Sequence, residues 1–415
     1  MRTASTIITL LCLTMAWMAA PYPARCAGDI QKGDPPGLLD KLTKYDQSPY
    51  YTMYTDLDKD AAREAINRMT RMAEEYHERT KSFAGVISRK FPFYLYGTMD
   101  EYHKAGAPSA TAGLFVPAGP YLMAGCVLNK DGQVGLPTWH IVQHEGFHQF
   151  VHAVIRGDIP IWVNEGLAEF FGESLYTGDG FVTGVIPPDR LKRLKDELEQ
   201  DKFKSVDKIM GVTSKEWMAD MNILNYDQAW SMVHFLALGE KGKYQSAFTR
   251  YMQEVGKGAK SEMAWTDCFG SSAGFEEKWK AFWKAQSDNP TEDLYCKARL
   301  ATLTSFLGRA YAQKQTFDNI DALLKTDAKD MKMADEDWLP GSLFIDAVAG
   351  AARLRKDGYI LSIAPTANKL PTITCAMPDG TKLTGKFALR GFSHIGVVSV
   401  EVVPPPATAP TTKPK

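Results

Sequence analysis

The stretch Trp139–Phe171 reads WHIVQHEGFHQFVHAVIRGDIPIWVNEGLAEFF, and the rest of the chain is organised around it. Within it, His144-Glu145-Gly146-Phe147-His148 is an H-E-x-x-H pattern, and Glu165 follows with sixteen residues between it and His148. On a helix, positions i and i+4 lie one above the other on the same face. His144 and His148 therefore aim two imidazoles at one point, with Glu145 about 100° round the helix, beside that point. Two neutral imidazoles and a carboxylate suit a catalytic Zn²⁺ with water in the open fourth position. The spacing to Glu165 is workable. The helix is expected to run on for about two turns beyond His148 and to stop at Gly157 as its C′ residue. Pro160 then fits the first turn of a second helix, whose face carries Glu165 back to the metal.

Around this stretch lies a chain of 415 residues, 45% hydrophobic and 23% charged, an ordinary globular balance that allows roughly two or three domains. A formal net charge of −1 leaves no electrostatic footprint for nucleic acid, and no such partner is expected. At the start, Arg2 precedes an apolar run, Ile7 to Ala20, and the small-residue stretch PYPARCAGD. That is a charged n-region, an h-region too short to span a bilayer comfortably, and a cleavage region. Residues 1–27 read as a signal peptide cut between Ala24 and Gly28, the rival being an uncleaved anchor. Export to a periplasmic or extracellular space is expected. With no second long apolar run, no integral membrane segment is expected once the leader is removed.

Cys12 leaves with the leader, and so does Cys26 on this reading. Cys126, Cys268, Cys296 and Cys375 remain, and four thiols in an oxidising compartment allow three disulfide connectivities. Their wide spacing is not that of a metal cluster, and buried free thiols remain the equal alternative.

Residues 28–48 are Gly/Pro/Asp-rich and read as a linker with one short helix. Residues 50–55 and 91–95 are β-prone, and Asp58 to Lys81 carries apolar residues at a helical period. Gly113 to Leu128 reads as a strand pair. Helices are expected over 187–200, 226–238, 244–254, 275–286, 294–311 and 343–354. The pattern then switches to four short strands, at 359–363, 372–377, 382–389 and 397–403, with a turn at Pro378-Asp379-Gly380. A Pro/Thr-rich tail, 404–415, is expected to be disordered.

The two pieces HEGFH and WVNEGLAEFF resemble the zinc site of gluzincin metallopeptidases, peptidase clan MA, the group that includes thermolysin and the aminopeptidase N family. The second piece is similar to the W-L-N-E-G-F segment of the aminopeptidases. The layout is closest to exported bacterial proteins with a peptidase-MA-like core, over roughly Tyr50 to Gln286. The distance from His148 to Glu165 is slightly shorter than in thermolysin and the aminopeptidases, which makes the chain no close relative of either.

The resemblance implies His144, His148 and Glu165 as zinc ligands and Glu145 as general base. It implies Glu169, one helical turn beyond Glu165, as the carboxylate that orients a ligand histidine. Tyr226, in YDQAW, is similar to the tyrosine of the aminopeptidases' Y-x-K-G segment, which donates to the oxyanion; Gln228 and Ala229 depart from it.

Plainer roles stand beside these. Tyr226 equally suits a core aromatic stacked on Trp230, and His234 suits packing. His140 and His152 extend the histidine stripe but lie more than one turn from the metal, which suits structural or outer roles. Gly146 costs about 1 kcal/mol in a helix relative to Ala, which implies close backbone contact, from packing or from substrate.

The expected fold is α+β: a gluzincin-like core, with an N-terminal α/β half (49–176) carrying the active-site helix and a helical half (177–289). A helical segment and small β module (290–403) follow. The expected function is zinc-dependent hydrolysis of peptide or protein substrates, in endo- or exo-fashion. A non-catalytic binding module on the same fold and an envelope scaffold with a structural zinc are the alternatives.

Overall fold

Tyr51, Met53 and Thr55 point inward at alternate positions of a strand, the period of a sheet with one face on a core. That strand belongs to a computed structural model describing residues 39–405 except 131, 156–157 and 365–369. The expected leader, most of the expected tail, and Gly157 lie outside the described residues. Contacts divide the chain into two units, residues 1–174 with 183–290, and residues 175–182 with 291–415. The two halves expected at 49–176 and 177–289 fall almost wholly in the first.

In that unit, β1 (Thr43–Tyr45), β2 (Tyr51–Thr55), β3 (Phe91–Tyr96), β4 (Gly113–Val116) and β5 (Tyr121–Gly125) form one sheet in the order β1-β2-β3-β5-β4. The central strands β2, β3 and β5 are parallel, and β1 and β4 close the edges antiparallel. β1 lies inside the stretch expected to be linker. It is short and largely exposed, so no apolar alternation announces it.

Helix α1 (Lys59–Thr80) is capped by Asp58, whose side chain accepts from the amides of Asp60 and Ala61. Such a cap contributes about 1 kcal/mol. Its Ala65, Ile66, Met69 and Ala73 share a core with Phe91, Phe93 and Leu95 of β3 and with Trp139, Ile141 and Val142. Tyr94 and Tyr96 alternate to the other face, where they join Tyr121 and Tyr102 of α2 (Met99–Lys104).

Helix α3 (Leu136–Val154) starts on Pro137 and is buried on nearly every side, from Thr138 to Phe150. It is a core helix, and its polar residues are therefore buried as well. After Ile155, which is extended, α4 (Ile161–Gly172) begins directly behind Pro160. Beyond Ser174 the chain passes to a hairpin, β6 (Leu175–Tyr176) and β7 (Phe181–Val182), that belongs to the second unit, and returns at Thr183.

Seven helices complete the first unit: α5 (Pro188–Glu199), α6 (Val206–Met210), α7 (Ser214–Ala219), α8 (Ile223–Gly242), α9 (Gln245–Gly256), α10 (Ser261–Phe269) and α11 (Ser272–Lys284). The short α6, α7 and α10 were not among the expected helices. α8 is the centre of this part. Trp230, Met232, Val233, Phe235 and Leu236 are all fully buried, and Ser231 receives the indole N–H groups of Trp279 and Trp283, each at 3.1 Å. Its regular part ends at Gly239, after which Glu240 and Lys241 take positive φ.

In the second unit, β8 (Ile360–Ala364), β9 (Thr372–Ala376), β10 (Lys382–Arg390) and β11 (His394–Val403) form an antiparallel meander. This is the expected small β module. Its inner face packs on α12 (Glu292–Ala312), with α13 (Ile320–Leu324) and α14 (Gly341–Lys356) alongside. Arg309 of α12 is buried and holds Asp179 of the inserted hairpin through two contacts of 2.7 and 3.0 Å. The whole is an α+β protein. Among the described residues no helix is long and apolar enough to cross a membrane.

Candidate metal centre

Helices α3 and α4 pack so that one face of each looks at the other, and glycine permits the approach on their far sides. A Cβ on Gly146 would lie 2.6 Å from Met69 Cε and 3.0 Å from the Tyr76 hydroxyl. The question left open by the sequence is thereby answered: Gly146 serves the packing of α3 on α1. A Cβ on Gly166 would lie 2.5 Å from the carbonyl oxygen of Ala229, so this glycine seats α4 against α8.

Between the two helices His144, His148 and Glu165 converge, all three buried. His144 Nδ1 lies 3.0 Å from Glu169 Oε1, and His148 Nδ1 lies 3.1 Å from Asn164 Oδ1. A carboxylate and an amide oxygen only accept, so each Nδ1 donates, and in the neutral form of both imidazoles Nε2 is left bare. The two Nε2 atoms are 3.1 Å apart, and Glu165 Oε2 lies 3.5 and 3.6 Å from them. Glu165 Oε2 is buried and has no hydrogen-bond partner. With both rings neutral, three lone-pair atoms crowd one point, which calls for a cation or a proton between them.

A tetrahedral ion with bonds near 2.0–2.1 Å separates its ligand atoms by about 3.3 Å, close to all three measured edges. The residues fit a metal ion. The same crowding acts on a proton: burial opposes charge on His148, yet Glu165 beside it raises the imidazole to about 9. At His144 burial prevails and lowers the value.

Glu145 sits one residue round the helix, fully buried. Its Oε2 accepts the amide N–H of Phe115, on edge strand β4, at 2.9 Å, and its Oε1 has no partner. Burial pushes its carboxyl up to about 8. The ring of Tyr226 lies 6.5 Å from that of His144. Its hydroxyl is buried and unpaired, and its ring meets Trp217 edge-on at 5.4 Å. The neighbour expected from sequence was Trp230; α7, which carries Trp217, takes that place instead.

Glu169 is held from behind. Arg190 of α5 places Nη1 2.6 Å from Glu169 Oε2 and 2.8 Å from Glu173 Oε1, and its Nε 2.9 Å from Asp227 Oδ1. Arg193 completes the row with Asp227, at 2.5 and 3.0 Å. Burial alone would raise Glu169, but Arg190 and His140 hold its carboxyl well below the usual range. His140 Nε2 lies 3.6 Å from Glu169 Oε2, which gives that histidine an outer role. His152 is exposed beside Phe115, and His234 is packed between Phe170, Trp230 and Trp283 with Nε2 3.0 Å from the carbonyl oxygen of Gly184. Asn164, Arg190, Arg193 and Asp227 were absent from the residues picked out by sequence. Only Asn164, inside the N-E-G segment itself, carried a local signal.

Residues 139–258 match DUF1570, described as a protein family of unknown function. No curated protein matches the chain. The matched span opens on Trp139 and takes in α4, α5 and α8, and so His144, Glu145, His148, Asn164, Glu165, Glu169, Arg190 and Tyr226, while Phe115 lies outside it.

Proposed function

We propose that the chain is an exported zinc metallopeptidase of gluzincin type, hydrolysing peptide bonds in peptide or protein substrates. The observation that carries the reading is the meeting of three bare, buried lone-pair atoms at tetrahedral spacing, with an unpaired carboxylate oxygen beside them. His144, His148 and Glu165 would hold the ion. When bound, zinc supplies Lewis acidity, polarising a carbonyl and acidifying water.

The chain's own groups do the remainder. Glu145 takes a proton from the attacking water and returns it to the leaving amine. The Phe115 amide fixes its Oε2, so that the free Oε1 is the oxygen that works. Its burial-raised value near 8 falls once a cation stands nearby, which brings a general base towards neutrality. The Tyr226 hydroxyl, buried and unspent on any partner, donates to the oxygen of the tetrahedral intermediate. Edge strand β4, paired on one side only, would take an extended substrate backbone through groups other than the Phe115 amide that Glu145 holds.

Glu145 also separates this reading from a binding module on the same fold, which has no use for an unpaired buried carboxyl. A closed structural zinc takes four protein ligands, and among the described residues no fourth joins the three. The test is Glu145→Gln: zinc content and melting temperature unchanged, hydrolysis of a mixed peptide library down by roughly 10²–10⁴-fold. Cleavage at the wild-type rate in that variant contradicts the mechanism.

A further inference from the structure

Cys296 and Cys375 are 79 residues apart in sequence and touch in the second unit, with Sγ atoms 3.3 Å from each other. Both are fully buried. Cys296 stands on the inner face of α12, where Leu300, Leu303 and Leu307 follow at helical spacing. Cys375 points inward from β9, the alternate of the exposed side, between Leu361 of β8 and Leu383 of β10. The pair therefore joins the central helix of the unit to the middle of its sheet.

Among the described residues, the other two thiols have no such sulfur neighbour. Cys126 is buried in the first unit, and Cys268 accepts a hydrogen bond from Arg250 Nε at 3.2 Å. Of the three connectivities open to four cysteines, only the one containing Cys296–Cys375 has sulfur against sulfur.

We propose that Cys296 and Cys375 are joined by a disulfide in the mature protein, with Cys126 and Cys268 left as thiols. A disulfide bond is about 2.05 Å long, so closure brings the sulfurs together by about 1.2 Å, within reach of small side-chain rotations at both residues. The reaction is exchange with a donor of the disulfide class. A thiolate of the pair attacks the donor disulfide and releases one donor thiol. The second cysteine then attacks the mixed disulfide and releases the other. Two protein thiols are oxidised and one donor disulfide is reduced to two thiols. Because both sulfurs are buried in the folded unit, the bond forms before packing is complete and then resists reductant until the unit opens.

The inference is independent of the metal centre. The test uses the full chain exported with its own leader, quenched in acid, alkylated under denaturing conditions and digested without reduction. A peptide pair linking Cys296 to Cys375, lighter by about two hydrogen masses than the separate peptides, is the expected product, with Cys126 and Cys268 alkylated. The oxidised wild-type chain should melt roughly 5–15 °C above the reduced one in the transition of the second unit. Cys296→Ala, Cys375→Ala and the double variant add a readout that a mere loss of packing does not give. Removing either cysteine removes the whole bond, so the double variant should lose far less than the sum of the two single losses. Additive losses, or both cysteines recovered as alkylated thiols after export and again after refolding with glutathione disulfide, would overturn the proposal.

Discussion

His144 belongs to two groupings of histidine and carboxylate at once. Through Nε2 it meets His148 and Glu165; through Nδ1 it meets Glu169, with His140 beyond. Residue types and distances are alike in the two, and either trio has ligand atoms close enough to take a metal ion. They differ in what already satisfies them. Glu169 faces the Arg190 guanidinium at 2.6 Å and the proton of His144 Nδ1, so its charge is spent. Glu165 Oε2 faces two bare nitrogens and nothing that donates. A buried, unpaired carboxylate oxygen costs free energy unless something binds it. Ligand chemistry marks both places, and unmet electrostatic demand marks only the first.

The sharpest way to break this contrast is to remove one carboxylate from each grouping. Glu165→Ala deletes a ligand and is expected to abolish metal retention while leaving the chain folded, because it relieves a crowded site. Retention of the metal in that variant would move the ion to the other trio. Arg190→Met is expected to act on stability instead. It takes the cation from Glu169 and Glu173 and leaves Asp227 with Arg193 alone, and breaking such a buried pair costs about 3–5 kcal/mol. A urea titration with metal in excess measures this, and a loss under about 1 kcal/mol would show the cluster to be hydrated rather than buried.

Glu169→Ala is expected to be milder, weakening zinc retention against a competing chelator by about 10–100-fold, since it frees His144 to turn rather than removing a ligand. Unchanged affinity and activity would take Glu169 out of the site. His140→Gln should do least. It meets Glu169 and Glu173 from behind, at 3.6 and 4.0 Å, and a stability change within about 0.5 kcal/mol with normal metal content is expected. Metal loss there equal to that of Glu165→Ala would erase the distinction between the groupings.

The half of the centre that was legible in sequence is the half written at helical spacing. His144 and His148 at i and i+4, and Glu165 and Glu169 at i and i+4, each declare a shared face, and the gap between them declares a turn. Arg190 was not legible. It sits 21 residues beyond Glu169 on a helix that reads as charged and amphipathic, and its burial depends on α5 packing against α4 and α8. Asp227 stands beside Tyr226 in a segment that drew attention for the tyrosine alone. Phe115 contributes through its backbone, which no side-chain pattern can show.

The fold divides in the same way. Long amphipathic helices and alternating strands were visible within a few residues of their ends, as with α1, expected over 58–81 and found at Lys59–Thr80. Short elements held by tertiary contacts, such as β1 and the hairpin β6–β7, were not. Asp179 on that hairpin depends on Arg309, 130 residues away, for its place.

Metal content tests the central claim most directly. The chain, purified without added chelator and analysed for elements, is expected to hold about one zinc per chain. His148→Ala, which removes one of the two bare nitrogens, is expected to hold none while keeping its secondary structure. No metal in the wild type after incubation with zinc, or undiminished zinc in His148→Ala, would contradict the assignment of His144, His148 and Glu165 as a metal site.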